Sequence, residues 1–369
     1  MLSMTPLILA ALATAASSTP ASAQEQAPVP PAATPAPAAG PAKPVAVTPF
    51  VAAEAGQVIE ALAKTLEANF VFPQVGVKYA AALRAKLGAG GYASFASGRD
   101  FAAAVTADLQ AVAKDGHLKL VSSDMIPQRR GGPLQSGSSG SAVDKSGWLA
   151  PGVAYISFVG FPGDEATTKG VAAFLAEHRS ATTLIIDARD NRGGGLAEMD
   201  LMFAQLFDRP TELVRMDTRI AVQQAYGSPF DGSPTVTKAK GPEGVVRQIH
   251  SAIPAAAGAT MGQAKVYLLT SARTASAGEH LSLSLKRTHR ATLIGETTRG
   301  AGHYGGFEQL PGGYAAFIPV GRTFDPDTGE GWEGKGVKPD IEVAADKALD
   351  EALRRAGVQV SGSTALVGL

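Results

Sequence analysis

The chain has 369 residues, of which 45% are hydrophobic and 18% are charged, and its mean hydropathy is +0.06. This size and composition predict a globular protein with room for about two domains. The formal net charge is +0, so the sequence provides no basic field that would favour nucleic acid as a partner. It contains no cysteine, which excludes disulfides, thiolate metal sites and a cysteine nucleophile.

The N-terminus predicts export. An apolar run over residues 6–16 is followed by Ala21-Ser-Ala23, the small-x-small pattern of a processing site, although no lysine or arginine precedes the run. The run is too short to span a bilayer. We therefore predict a signal peptide over residues 1–23 and an Ala/Pro-rich disordered linker over 24–49. The mature protein is expected in the periplasm or secreted, without stable membrane insertion.

Residues 50–122 have the pattern of a small helical domain. Apolar residues recur there at helical spacing in three runs, namely Ile59, Leu62, Leu66; Tyr79, Leu83, Leu87; and Phe101, Val105, Leu109. Residues 123–146 are polar and glycine-rich, which indicates a linker.

Strand-like and helical runs alternate over residues 147–360, which predicts an α/β domain with a largely parallel sheet. The expected strands are 153–158, 183–188, 266–270 and 292–294. The segment 214–263 is long for a loop, which makes it a candidate cap over the functional site.

Ser276 lies where the predicted strand over 266–270 runs through small residues into a helix. A hydroxyl at such a turn is exposed, and the N–H of Ala277 together with the helix dipole could stabilise an oxyanion. The simpler interpretation is that Ser276 only caps the helix.

A second candidate element is the glycine run that follows the strand over 183–188. Without side chains at Gly193 and Gly194, a substrate carbonyl could approach the main chain, and one of these N–H groups could complete an oxyanion hole with Ala277. A tight turn is an alternative. A dinucleotide-binding loop is weakly supported, because the spacing does not give G-x-G-x-x-G.

A serine nucleophile requires a base, and two histidines remain candidates on residue type. His117 follows a helix in Asp115-Gly-His117, and His303 ends a flexible glycine loop. The other histidines are set aside: His280 lies on the serine's own helix, whereas three are expected to be solvated in charged helical contexts, namely His178, His250 and His289.

Glu333 stands in a late loop between Trp332 and Gly334. A partly buried carboxylate there could orient a histidine or bind a substrate terminus. A glycine-rich turn without a functional role is the alternative.

Together these segments resemble the carboxyl-terminal processing (tail-specific) serine peptidase family, which includes the tricorn core and the interphotoreceptor retinoid-binding protein modules. Five patterns in the family's order give the resemblance, namely Asp115-Gly-His117, Ile186 to Gly194, Ser271 to Glu279, Gly295-Glu-Thr-Thr298 and Gly334 to Asp340. The implied fold is a crotonase/Clp-like α/β catalytic domain preceded by a small helical domain.

The resemblance implies that Ser276 is the nucleophile and that Ala277 belongs to the oxyanion hole. Processing members have a lysine base at the position occupied here by Ala301, so the chain is closer to the tricorn and retinoid-binding branch. That branch implies His117 as base and Glu333 as the orienting carboxylate, with His303 as the alternative base. The PDZ domain of many members is expected to be absent.

The sequence therefore predicts an exported serine peptidase that acts on peptides or unfolded proteins without a cofactor or metal. A homo-oligomer is a further expectation. The alternative function is a non-catalytic carrier of an apolar ligand, of retinoid or fatty-acid type, because the same fold serves both activities.

Overall fold

The computed structural model describes residues 48–125, 141–228 and 230–369. The predicted signal peptide and nearly all of the predicted 24–49 linker lie outside the described residues, as does most of the linker predicted over 123–146. The described part contains nine α-helices, which are α1 (Ala52–Asn69), α2 (Pro73–Gly88), α3 (Gly98–Val112), α4 (Glu165–Glu177), α5 (Ala197–Leu206), α6 (Ile220–Tyr226), α7 (Ala277–Arg287), α8 (Ala348–Arg355) and α9 (Gly362–Ala365).

Twelve β-strands are present among the same residues. They are β1 (Lys119–Ser122), β2 (Val143–Ala150), β3 (Val153–Phe158), β4 (Thr183–Asp187), β5 (Thr211–Arg219), β6 (Val236–Ala239), β7 (Val245–Ala252), β8 (Lys265–Thr270), β9 (Thr292–Gly295), β10 (His303–Leu310), β11 (Tyr314–Phe324) and β12 (Ile341–Glu342).

The first sheet has the order β12-β9-β8-β4-β3-β2. All neighbouring strands in it are parallel except β2, which pairs antiparallel with β3. Helices α4, α5 and α7 cover one face and α8 covers the other, so strands β3, β4 and β8 are buried on both faces. This burial explains their continuous apolar sequences.

The second sheet is antiparallel, with the order β1-β11-β5-β7-β6 and with β10 paired to β11. The candidate cap over residues 214–263 contributes β7, β6 and most of β5 to this sheet, so it is built largely of strands. Within the segment, β7 pairs with β5 and β6, but β5 joins the rest of the sheet through β11, about a hundred residues away, a pairing that leaves little local pattern.

Helices α1 to α3 pack on this second sheet. Their apolar stripes, which include the fully buried Val58, Leu62 and Leu66 of α1, form a common core with Tyr314 and Ile318 of β11. Strand β1, at the end of the predicted helical domain, pairs with β11. Asp115 and Gly116, which precede β1, are hydrogen-bonded to His303 and Glu333 in later loops of the chain.

No helix in the described ranges combines the length and hydropathy needed to cross a bilayer.

Candidate active site

Three loops of the candidate site leave the carboxyl ends of neighbouring parallel strands. The glycine run follows β4, the Ser276 turn follows β8, and the segment 296–302 follows β9. Because parallel strands end at the same edge of a sheet, these loops converge there. The fold thus brings together segments separated by more than a hundred residues in the sequence.

Ser276 directly precedes α7 and has φ 53° and ψ −115°. Positive φ is costly for a residue with a side chain, and such strain is concentrated at functional turns. The hydroxyl therefore lies at a sharp strand-to-helix turn, beside the positive end of the helix dipole.

The glycine loop packs directly against this serine. A Cβ atom at Gly193, where φ is +104°, would lie 2.7 Å from the Cβ of Ser276. At Gly194, where φ is +138°, a Cβ would lie 1.9 Å from the carbonyl oxygen of Phe161. Only glycine satisfies both constraints, because it tolerates positive φ and has no Cβ to clash.

Two backbone N–H groups at this contact are free to bind an oxyanion. Within the described ranges, neither Ala277 nor Gly194 donates its N–H to a protein acceptor. Gly193 differs, because its N–H donates to Oδ1 of Asn191 at 2.8 Å. Of the two glycines named by the sequence analysis, the structure therefore favours Gly194 as the donor and Gly193 as the residue that permits close approach.

Asn191 connects the glycine loop to the serine turn and was not singled out from the sequence. Its side chain accepts the Gly193 N–H, and its carbonyl oxygen accepts the N–H of Ala275 at 3.0 Å. The residue is fully buried, and its Nδ2 has no acceptor within the described part of the chain. Asn191 thus fixes the distance between the two walls of the candidate oxyanion hole.

Glu279 is a second residue whose role the sequence analysis missed. Its fully buried carboxylate accepts the N–H of Ser276 at 2.9 Å, the N–H groups of Gly300 and Ala301 at 2.6 and 2.8 Å, and the hydroxyl of Thr298 at 2.6 Å. Burial raises its pKa, an effect that these four hydrogen bonds only partly offset. The signal available in the sequence was the spacing Ser276-x-x-Glu279, which is that of a capping box.

The candidate base and carboxylate form a separate cluster. Glu333 accepts the N–H of Gly116 through Oε1, and the N–H groups of Gly302 and His303 at 2.6 and 2.8 Å through Oε2. Nδ1 of His117 lies 4.0 Å from Oε2 of Glu333. His117, His303 and Glu333 therefore lie together in one cluster.

The two histidines differ in their partners. Nδ1 of His303 is hydrogen-bonded to Oδ2 of Asp115 at 2.7 Å, and its ring lies edge-on to Phe72. The ring of His117 stacks on Phe317 with a centroid distance of 5.4 Å, and its Nδ1 has no hydrogen-bond partner within the described ranges. His303 is thus fixed by Asp115, whereas the ring of His117 is held only by packing and charge.

Electrostatics at this cluster favour a neutral His117. Burial lowers its pKa, and the charges of Glu333 and Asp115 only partly oppose this effect. Burial alone would raise the pKa of Asp115, but hydrogen bonds from His303 and from the N–H groups of His117 and Leu118 outweigh burial and lower it. Asp115 is therefore ionised at neutral pH, while His117 has the protonation state that a general base requires.

The Gly300–His303 segment connects the two halves of the site. Its first two N–H groups bind Glu279 below Ser276, and its last two bind Glu333 beside His117. Among the described residues, neither His117 nor His303 is hydrogen-bonded to the Ser276 hydroxyl. Ala301 is buried and provides only its backbone, which accords with the absence of a lysine base.

Three ligand atoms could in principle hold a cation, since Asp115, His303 and Glu333 present oxygen or nitrogen atoms within 4.8 Å of one another. Their hydrogen bonds, however, already join these groups to each other and to backbone N–H groups. The donor set therefore fits a hydrogen-bonded network better than a metal centre.

Two of the histidines expected to be solvated are buried, so that expectation was wrong for them. His178 and His250 expose 2% and 0% of their surface, whereas His289 is exposed. His250 lies on strand β7 rather than on a helix, and it belongs to the buried face of that strand together with Gln248 and Ala252. It bonds to Asp200 at 2.7 Å and to Nε2 of His280 at 2.8 Å, away from Ser276.

The described residues thus hold a strained serine at a helix start, a glycine loop with N–H groups that lack protein acceptors, and an acid-histidine cluster, which are elements that a serine hydrolase site requires. The chain belongs to peptidase family S41, whose family model matches residues 152–343. A model of the N-terminal domain of Peptidase_S41 in eukaryotic IRBP matches residues 49–142. Only residues 143–151 lie between the two matches, too few for a PDZ domain.

Two solved structures share this fold over most of both chains. A candidate peptidase from Parabacteroides merdae is 16% identical, with a TM-score of 0.55 over 84% of this chain and 95% of its own. A lipoprotein from Streptococcus agalactiae is 15% identical, with a TM-score of 0.51 over 83% and 97% of the two chains. The photosystem II D1 C-terminal processing protease is 22% identical, with a TM-score of 0.41, and the match spans 60% of this chain and 51% of that one.

These findings confirm the family and the fold class predicted from the sequence, a mixed α/β protein with an N-terminal helical region. At such identities the structural likeness concerns the fold alone.

Proposed function

We propose that the protein is a serine peptidase in which Ser276 is the nucleophile and His117 is the general base. The observation that supports this most directly is the contact between the strained Ser276 turn and the glycine loop, where two N–H groups lack acceptors within the described ranges. A serine that only capped a helix would require neither the strain nor the free donors.

In the proposed reaction, His117 takes the proton of the Ser276 hydroxyl as its oxygen attacks the peptide carbonyl carbon. The N–H groups of Ala277 and Gly194 stabilise the negative oxygen of the tetrahedral intermediate. The imidazolium then returns the proton to the leaving amine, and water hydrolyses the acyl-enzyme by the same route. Glu333 favours the imidazolium by its charge, because it lies 4.0 Å from Nδ1 of His117.

A further requirement is that the imidazole reaches the serine hydroxyl. Among the described residues no hydrogen bond joins the imidazole of His117 to the Ser276 hydroxyl, and catalytic hydrogen bonds commonly tighten only when substrate binds. The ring of His117 can move because it is held by stacking on Phe317 rather than by a hydrogen bond at Nδ1. His303, which bonds to Asp115, lacks this freedom.

The proposal includes export of the mature protein and peptides or unfolded proteins as substrates. The apolar run over residues 6–16 and Ala21-Ser-Ala23 support export. Family membership supports a peptide substrate. Formation of a homo-oligomer stays a prediction.

An active-site-directed fluorophosphonate tests the central claim. It should label Ser276 in the wild-type protein, and the label should be lost in Ser276→Ala and strongly reduced in His117→Ala. The matched control is Ser363→Ala, which removes an exposed hydroxyl near the C-terminus. The carrier hypothesis would replace the peptidase proposal if Ser276 stayed unlabelled and the protein bound a retinoid or fatty acid saturably. That binding should then be unchanged in Ser276→Ala.

A further inference from the structure

A groove of about 800 Å³ adjoins the candidate oxyanion hole. The glycine loop forms one of its walls at Gly194 and Gly195, and β10 forms another at Gly305 and Gly306. The groove therefore begins beside Ser276, since Gly193 packs against that serine. Its volume is in the range that binds several residues of a peptide.

Both walls leave room for an extended main chain. A Cβ atom at Gly306 would meet nothing within 4 Å, and one at Gly195 would meet only the Phe161 carbonyl oxygen at 3.8 Å. Within the described ranges, β10 pairs on one side only, with β11. Its open edge can pair with a substrate segment in extended conformation.

The charged side chains that line the groove are all acidic. They are Asp200, Asp231 and Glu308, and no lysine, arginine or histidine lines it among the described residues. Asp200 is hydrogen-bonded to His250 and Thr235. Asp231 accepts hydrogen bonds only from neutral donors, which are the Ser228 N–H and the side-chain amides of Gln223 and Gln248. Asp231 and Glu308 are therefore the groove carboxylates whose charge is not paired with a cationic or imidazole group among the described residues. A hydrogen bond from the Ser228 N–H, assisted by Gln223, lowers the pKa of Asp231, so its exposed carboxylate is ionised at neutral pH.

Glu308 is half-buried on β10, and its carboxylate makes neither a hydrogen bond nor an ion pair with any described residue. Lys238 is close enough to influence Asp231 electrostatically, but it forms no ion pair with it and does not line the groove. An unpaired carboxylate in a partly enclosed groove attracts cations more strongly than one on an open surface.

From this charge pattern we propose that the groove selects extended peptide segments that bear a lysine or arginine side chain, bound by Glu308 and Asp231, and disfavours acidic segments. This inference deepens the proposed function, since it names the substrate class of the same site. Tyr226, Phe230 and Tyr304 line the groove as well and provide apolar surface for the aliphatic stem of such a side chain.

The test compares fluorogenic peptides that are identical except for one lysine, leucine or glutamate on the amino-terminal side of the cleaved bond. Because partly exposed charge pairs are modest, we expect kcat/KM to be about tenfold higher for lysine than for glutamate. The lysine-to-glutamate ratio of kcat/KM should shrink in about 0.5 M salt, because exposed charge pairs are largely screened at that concentration. Glu308→Gln should reduce it, and Glu308→Lys should invert it.

Glu165→Gln is the matched control, because it removes a surface carboxylate on α4 that does not line the groove. It should leave the ratio unchanged. Equal kcat/KM for all three peptides, or a preference that Glu308→Lys does not alter, would overturn the inference while leaving the peptidase proposal intact.

Binding separates this inference from the proposed function. Fluorescence polarisation with Ser276→Ala protein and the same labelled peptides needs no catalysis. We expect the lysine peptide to bind about tenfold more tightly than the glutamate peptide. If it does so while the wild-type protein cleaves no peptide, the groove assignment stands and the peptidase proposal fails. If neither peptide binds, the groove assignment is wrong.

Discussion

Nδ1 of His303 lies 2.7 Å from Oδ2 of Asp115, and this contact distinguishes the two candidate bases. The other oxygen of Asp115 accepts the N–H groups of His117 and Leu118, each at 2.9 Å. His303 thereby fixes, through Asp115, the turn that bears His117. We therefore propose that His303 is a positioning residue for His117, the proposed base.

The first prediction ranks these residues. His117→Ala should lower kcat by at least about a hundredfold, because it removes the proton acceptor. Glu333→Ala should also lower kcat, but by a smaller factor than His117→Ala. His303→Ala should likewise lower kcat less than His117→Ala. Steady-state kinetics with a fluorogenic peptide decide the order. If His303→Ala were the most severe, the base would be His303 and the assignment of His117 would be wrong.

The second prediction concerns pH. Burial and the neighbouring His303 and Lys119 lower the pKa of His117, while Glu333 and Asp115 raise it, and the net shift is downward from 6.5. A general base works when neutral, so the acid limb of kcat/KM should have its midpoint below 6.5. Glu333→Gln should move that midpoint lower still. An upward shift in this variant would contradict the proposed role of Glu333.

The third prediction concerns Glu279. Glu279→Ala removes the acceptor of four hydrogen bonds from a fully buried position. The unfolding free energy should fall by about 3 kcal/mol, because several donors lose their partner, and peptidase activity should be lost as the Ser276 turn relaxes. Urea unfolding measures the change. Glu165→Ala, at an exposed position, should cost less than about 0.5 kcal/mol.

The fourth prediction concerns the glycine loop. Gly193→Ala should abolish activity, because its Cβ would lie 2.7 Å from that of Ser276 and its φ of +104° disfavours any side chain. Gly56→Ala is the matched control, since it lies in α1 and a Cβ there would meet nothing within 4 Å. Its activity and melting temperature should be at least those of the wild type. Retained activity in Gly193→Ala would exclude this loop from the oxyanion hole.

The fifth prediction concerns export. The mature protein should begin at Gln24, because the apolar run and Ala21-Ser-Ala23 together form a processing unit. Mass spectrometry of protein recovered from the native host's envelope measures its N-terminus. An intact Met1 in that fraction would contradict the prediction.

The sequence by itself determined the elements whose signals are local. Helical spacing identified α1 to α3, and continuous apolar runs identified β3, β4, β8 and β9, because burial on both faces requires apolar residues at every position. Short motifs were sufficient to identify the family and to select Ser276, Gly193 and His117 as candidate site residues. Strand-to-helix turns and glycine runs need particular residues at fixed places.

Tertiary structure alone decided how these pieces meet. The second sheet pairs β11 with β1 and β5, which lie far away along the chain, and such long-range pairing leaves little local trace. The same is true of the hydrogen bonds of Glu279, of Asn191 between the glycine loop and the serine turn, and of Asp115 with His303. Residue type left His117 and His303 equivalent. Their different partners became visible only where two distant loops met, because a hydrogen bond depends on position in space and not on spacing along the chain.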